Sequence, residues 1–491
     1  MYNQDQVSKL ADAVASRLLG GGSFQAPRGA TRSQPSQTFY QRKQTFTSTV
    51  RSSSSVAAAN LDQAVEKAAA AQQSWVLVPM ETKKAIFEKI RIALREKTQE
   101  LSNLAVEETG LGRVEDKVSK NLLVINKTPG PEYLASSAFT GDDGLCLEEY
   151  APYGVIGSIT PTTNPSETII NNGISMLSAG NAVVFNPHPS AKRVSMRTME
   201  IMDGVITSMG GPSGLLMMVE SPTIETAQAL MKHPGIRLLV VTGGPAVVKA
   251  AMASGKKVVA AGPGNPPVVV DETADLEQAA SGIVKGASLD NNIVCIAEKE
   301  ILAVESIADE LIKRLQHNGA YLLSSYQTKQ LEKVVVDWES GGKYPNKNFV
   351  GKCANVILKE IGVDVSSDVR IIITEVSEDH PFVQAELLMP VIPLVRVANV
   401  DLAIEMAKRV EHGFGHTSVM YSKNIDRLHQ MAKVMNGSIF IKNAPSYAGL
   451  GFGGEGFTSF TIASPTGEGL TNCRTFSRIR RCTLKDHFRI V

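Results

Sequence analysis

From residue 154 the chain alternates short β-branched runs with polar turns and amphipathic stretches, and this rhythm restricts the fold more than any other feature. Residues 155–159 read as a buried strand, 160–165 as the turn after it, and 168–179 as a helix. Strands at 182–185, 215–219 and 238–241 follow, with a turn at 186–191 and helices at 193–209 and 223–232. Buried strands joined by helices need crossover connections, which gives a parallel, doubly wound α/β sheet. Ligands of such sheets bind beyond the carboxyl ends of the strands, where these turns lie. A second α/β block is expected downstream, with strands at 268–270, 300–304, 356–359, 370–374 and 391–397 and helices at 307–317 and 400–410.

The rest of the chain frames these blocks. With 491 residues, 43% of them hydrophobic, it can build a large core in two or three domains. Lys plus Arg number 50 against 49 Asp plus Glu, which removes the basic bias of a dedicated nucleic-acid binder. No apolar run reaches the ~18 residues of a membrane span. Five cysteines, Cys146, Cys295, Cys353, Cys473 and Cys482, are scattered and odd in number. They show no CxxC pair or Cys/His ligand spacing, so neither a disulfide framework nor a metal site is expected, and a reducing interior is the natural setting.

Residues 1–19 read as a small amphipathic helix. Val7, Leu10, Ala11, Val14, Ala15, Leu18 and Leu19 recur at helical spacing, with Asp5, Lys9, Asp12 and Arg17 between them and Gly20 to Gly22 as a stop. The segment lacks the basic start and continuous apolar core of a secretory signal. Residues 20–55 have a linker composition. A small helix on a long tether suits docking; a frayed terminus is the alternative. Helices are expected at 64–73 and 83–104, closed by Gly110 and Gly112, and an exposed strand or arm at 145–150. The tail from 466 is strand-like and basic.

Several short stretches carry possible chemistry. Small and polar residues from 286 to 292 lead into Cys295, which reads either as a thiol nucleophile or as an inert small hydrophobe. Thr242-Gly243-Gly244-Pro245 lies between a strand and a helix, where glycine permits close backbone approach to a phosphate or ring, and also where a turn needs glycine anyway. The turn from Gly262 to Pro267 is either a domain crossover or a site wall. Asn164 sits in the turn after a sheet strand, as an oxyanion donor or a structural turn residue. Glu386, before a proline and a strand, taken alone is a solvated or capping carboxylate. His412 and His416 are four apart, but Gly413 and Gly415 between them oppose a helix-borne metal pair. Arg478, Arg480 and Arg481 fit a solvated or interface strand.

Taken together and in order, these elements resemble the aldehyde dehydrogenase superfamily over roughly residues 55–491. The turn asparagine comes first, then Thr-Gly-Gly after a strand, a glycine-rich crossover, a cysteine about thirty residues on, and Glu386 ahead of Pro390. The stretches at 160–165, 262–267, 294–300 and 467–482 are similar to the CoA-acylating branch, most of all to microcompartment propionaldehyde and acetaldehyde dehydrogenases. The amino-terminal helix and linker resemble the encapsulation peptide of those enzymes.

The resemblance implies a Rossmann-type NAD-binding domain (56–133 and 151–262), an α/β catalytic domain (263–447) and a small β oligomerisation arm (134–150 and 466–491). Cys295 would be the nucleophile, with Asn164 and the Cys295 N–H as the oxyanion hole. Thr162, Thr242, Gly243, Gly244 and Glu386 would serve NAD, with Glu386 on the nicotinamide ribose. Asn186 and His188 would face its adenosine part, although the lysine of hydrolytic members is replaced there. Hydrolytic relatives also carry a water-activating glutamate in the turn that here reads Ala260-Ala261-Gly262-Pro263-Gly264, and nothing from 258 to 267 is acidic. A thioester on Cys295 would then survive until the thiol of coenzyme A attacks it. The expected reaction converts a short aldehyde, propionaldehyde first, to acyl-CoA. The implied partners are a microcompartment shell, through residues 1–19, and further copies of the chain as a homodimer or homotetramer. A hydrolytic enzyme or a non-catalytic shell cargo are the competing readings.

Overall fold

The computed structural model describes residues 54–491, so the expected helix at 1–19 and nearly all of the linker lie outside the described residues. Two parallel sheets organise the chain. The first has six strands in the order Ala57–Ala58, Leu216–Val219, Ala182–Pro187, Val155–Thr160, Leu238–Thr242 and Lys257–Ala261. The four inner strands are buried almost throughout, because helices cover both faces of a parallel sheet. From Val155–Thr160 the chain first steps one way across the sheet, then returns to add Leu238–Thr242 on the other side. The carboxyl ends of those two strands therefore bound the switch-point crevice, and they carry the turns with Asn164 and Thr242.

The second sheet has seven parallel strands in the order Ala320–Leu322, Ile371–Glu375, Val391–Val397, Glu300–Val304, Pro267–Val270, Thr417–Tyr421 and Ile439–Lys442. Its amino ends receive the segments that hold Gly264, Cys295, Glu386 and His416. A third, antiparallel sheet joins Ser137–Gly141, Gly144–Pro152 and Ser477–Lys485. Arg481 pairs with Glu148 across it, while Phe139, Ile479 and Leu484 remain exposed. Among the described residues no helix is long and apolar enough to cross a membrane.

The expected strand at 356–359 is instead the helix Ala354–Lys359. Its β-branched residues suggested period two, but Ala354, Ile357 and Leu358 are the buried ones, which is helical spacing. The helix Val114–Lys127, absent from the sequence reading, packs against the helix Met80–Thr109 and against Pro165–Ser178.

Candidate active site

The backbone ahead of Cys295 is unusual. Asp290, Asn291 and Asn292 have φ of 49°, 54° and 67°, three successive left-handed residues after the helix Leu276–Ser288. Asn and Asp tolerate this conformation better than other side-chain-bearing residues, which explains the run of Asx residues. Each then fixes the turn with its side chain. Asn291 Nδ2 donates to Gly351 O at 2.9 Å. Asn292 Nδ2 donates to Ala287 O at 2.7 Å and Glu298 O at 2.9 Å. Lys299 Nζ closes the loop from the other side, donating to Asn292 O at 2.8 Å and to its Oδ1 at 2.7 Å. The Lys299 N–H bonds Pro266 O at 3.0 Å, tying the cysteine turn to the glycine-rich crossover.

Asp290 is fully buried among basic groups. It takes Lys117 at 2.9 Å, Lys120 at 2.6 Å and the Arg113 N–H at 2.8 Å. The two lysines hold its carboxyl below the usual range against the opposing effect of burial. Lys120 also reaches Asn164 Oδ1 at 2.6 Å and Glu167 at 3.1 Å. Asn164 occupies the N-cap of the helix Pro165–Ser178, yet its side chain makes no cap bond. An asparagine at this position normally spends its Oδ1 on the first-turn amides; here Oδ1 is turned to Lys120, and Nδ2 donates to Thr163 Oγ1 at 3.1 Å.

Gly264 sits where these pieces meet. A Cβ there would lie 2.7 Å from Cys295 O and 3.1 Å from the His416 ring, so no side chain fits. Its N–H donates to Glu386 Oε1 at 3.3 Å, which brings the glutamate to the cysteine turn. His416 is buried, with Nδ1 2.8 Å from Thr417 Oγ1, and burial followed by Lys299 pushes its pKa down to about 4. His412 stands apart from it and contacts Gln384 O at 3.0 Å.

On the crevice side, Thr242 Oγ1 lies 3.0 Å from Thr461 Oγ1, which in turn donates to Asn172 Oδ1 at 3.0 Å. Gly243 is half-buried and Gly244 exposed, with open space beside Gly244. Thr162 is half-buried at the mouth of its turn. Asn186 spends both ends of its amide on the helix Ile224–Lys232, accepting from Thr226 Oγ1 at 2.6 Å and donating to Thr223 O at 3.3 Å. His188 is exposed and accepts from the Ser190 N–H at 3.2 Å. The strand Lys257–Ala261 brings no carboxylate toward the cysteine, and the Ala260 N–H is taken by Thr466 Oγ1 at 3.0 Å.

Cys295 keeps some accessible surface but is walled by protein. Burial, followed by the charge of Glu386, pushes its thiol up to about 12, while Lys299 and Lys120 pull it down. Glu386 is itself raised by burial, against Lys299 and the Gly264 N–H. Lys117 and Lys120 had no mark in the sequence, whereas Asp290 stood only within the polar run 286–292, and Glu298 and Lys299 only within the stretch 294–300. The Glu298-Lys299-Glu300 run is a visible signal, since it leads charged residues into the buried strand Glu300–Val304.

Glu298 has a stability consequence. It is fully buried and accepts from the Ser446 N–H and Oγ, both at 2.7 Å. Burial pushes its carboxyl up to about 7 from 4.5. Between these values the native state keeps a proton that the unfolded chain has released, so stability falls as pH rises from about 4.5 to about 7 and this contribution is flat above that. The span corresponds to roughly 3 kcal/mol. Denaturation of Glu298→Gln across this range is expected to show a shallower loss with rising pH than the unchanged chain; equal slopes would contradict the assignment.

The sequence profile of the aldehyde dehydrogenase family matches residues 32–325 and 370–473. The chain belongs to the aldehyde dehydrogenase family. Among curated relatives of this aldehyde dehydrogenase, an acetylating acetaldehyde dehydrogenase of Salmonella typhimurium is 51% identical over 437 residues, 88% of this chain and 93% of that one. A propionaldehyde dehydrogenase of Rhodopseudomonas palustris, solved with bound CoA and an acylated cysteine, superposes with a TM-score of 0.86 at 49% identity, covering 88% of this chain and 99% of that one. A propionaldehyde dehydrogenase from the fucose utilisation bacterial microcompartment of Clostridium phytofermentans gives 0.87 at 45% identity, covering 89% and 99%.

Proposed function

We propose that this aldehyde dehydrogenase oxidises a short aldehyde of two or three carbons, propionaldehyde or acetaldehyde, to its acyl-CoA with NAD+ and coenzyme A. The observation that carries the acylating reading is the lack of an acidic residue in the glycine-rich turn packed on Cys295. Residues 258–267 carry no carboxylate of their own, and the Gly264 N–H in that turn holds Glu386. The strand Lys257–Ala261 supplies none. A thioester formed on Cys295 therefore meets no water-activating carboxylate from that turn and awaits a thiol.

The switch-point crevice fits the dinucleotide. Thr242, Gly243 and Gly244 open onto it, and Glu386 keeps one oxygen for a ribose hydroxyl. NAD+ held there would supply the hydride acceptor. Asn186, committed to its helix cap, offers the adenosine end only backbone groups. On aldehyde entry, Cys295 Sγ attacks the carbonyl carbon as thiolate, its proton leaving to solvent. The Asn164 Nδ2–H and the Cys295 N–H hold the oxyanion. When hydride departs, the carbon–oxygen double bond re-forms and a thioester remains on Sγ. The CoA thiolate then adds to that carbonyl, the same donors hold the second oxyanion, and Sγ leaves as acyl-CoA is released. The first sheet serves the cofactor, the second the nucleophile, and the antiparallel arm, with its exposed Phe139, Ile479 and Leu484, joins copies of the chain.

The helical pattern at 1–19 and the microcompartment origin of one relative support encapsulation. Deleting residues 1–19 is expected to abolish co-sedimentation with assembled shells while the sedimentation coefficient of the free enzyme, set by the arm, keeps its oligomeric value. Shell binding that survives the deletion would remove this part of the reading.

A further inference from the structure

We propose that Lys120 is the positioning residue for the oxyanion site, fixing the orientation of the Asn164 amide and locking its turn to the cysteine turn. The inference rests on the acylating reading and adds to it a residue on a helix that the sequence did not reveal.

The chemistry is directional. An ammonium only donates, so the Asn164 atom 2.6 Å from Lys120 Nζ is the carbonyl oxygen and the amide cannot flip. Nδ2 then faces the other way. One of its hydrogens goes to Thr163 Oγ1 and one is left over, which is what an oxyanion donor requires. Polarisation acts in the same sense, because a cation on Oδ1 makes the N–H hydrogens more acidic. The second role is mechanical. Lys120 Nζ also meets Asp290 at 2.6 Å and Glu167 at 3.1 Å. One buried ammonium thereby joins the Asn164 turn, the helix behind it and the left-handed turn that leads to Cys295. Lys117 completes the group from the preceding turn of the same helix, bonding Asp290 at 2.9 Å. Two lysines face two carboxylates, so the cluster is charge-balanced, and its members are 0–2% exposed. Such a cluster resists rearrangement, which suits a donor that must stand ready before the oxyanion forms.

Lys120→Met alone leaves a carboxylate uncompensated and threatens folding. The test therefore uses Lys120→Met with Glu167→Gln, which keeps the cluster neutral, alone and combined with Asn164→Ala. Single-turnover NADH formation from saturating propionaldehyde is followed, together with KM for NAD+ and iodoacetamide alkylation of Cys295. The expected result is a drop of about tenfold in the single-turnover rate, smaller than the roughly 10²–10³-fold cost of removing the donor outright because the amide itself remains. KM for NAD+ and the alkylation rate should change little, and the same substitutions should have almost no further effect once Asn164 is alanine. Equal losses with and without Asn164 would overturn the positioning role alone, as would an unchanged single-turnover rate. An unaltered enzyme that forms no NADH from propionaldehyde would overturn the acylating reading and this inference with it.

Discussion

Asn164→Ala is expected to slow single-turnover NADH formation by about 10²–10³-fold while leaving alkylation of Cys295 within a few-fold of normal. The amide does no capping work in the structure, so its loss removes little helix stability. Its Oδ1 satisfies Lys120, but that ammonium keeps Asp290 and Glu167 as partners. The whole effect should therefore fall on the chemical step, as loss of one preorganised donor to the developing oxyanion. A rate reduced less than threefold would show that the oxyanion is held elsewhere.

The next largest effect is expected at Lys299, where one substitution touches both folding and the nucleophile. Lys299 is buried, and its ammonium bonds the carbonyl oxygens of the cysteine turn. Lys299→Met leaves Asn292 O and Oδ1 without their donor, a cost of about 2–4 kcal/mol for two unsatisfied buried acceptors. Chemical denaturation should show the loss. The thiol responds as well. Lys299 favours the thiolate of Cys295 and Glu386 opposes it, so the two substitutions have opposite signs. At a fixed pH near 8, Lys299→Met should slow alkylation of Cys295 and Glu386→Gln should accelerate it. The second variant should also raise KM for NAD+. Changes of the same sign in both would mean that the turn geometry, not charge, governs the thiol.

The fold was legible wherever burial on both faces left a continuous apolar run. The strands Val155–Thr160, Glu300–Val304 and Val391–Val397 are of this kind. It failed at 356–359, where β-branched residues sit in one short helix buried on a single face, and at the helix Val114–Lys127, where two lysines interrupt the apolar face. Those lysines are buried because they answer Asp290 and Glu167, and a partner more than forty residues away leaves no local pattern. The Asp290-Asn291-Asn292 run stood out as polar, yet its reason is the left-handed backbone, which composition alone does not reveal. Around the site, the turns bearing Asn164, Thr242 and Gly264 were recognisable because glycine, proline and asparagine mark strand ends. The ammonium groups that tie these turns together became visible only in three dimensions. Asn186 shows the converse: a residue that a motif offers to the cofactor has its side chain spent on a helix cap.

The most direct test of the acylating account is NADH production from propionaldehyde with and without coenzyme A, in the unaltered enzyme and in Cys295→Ala. Steady turnover only when CoA is present, with at most one NADH per subunit in its absence and none in Cys295→Ala, is the expected result. Sustained turnover to free propionate without CoA, or NADH formation that survives the loss of Cys295, would contradict it.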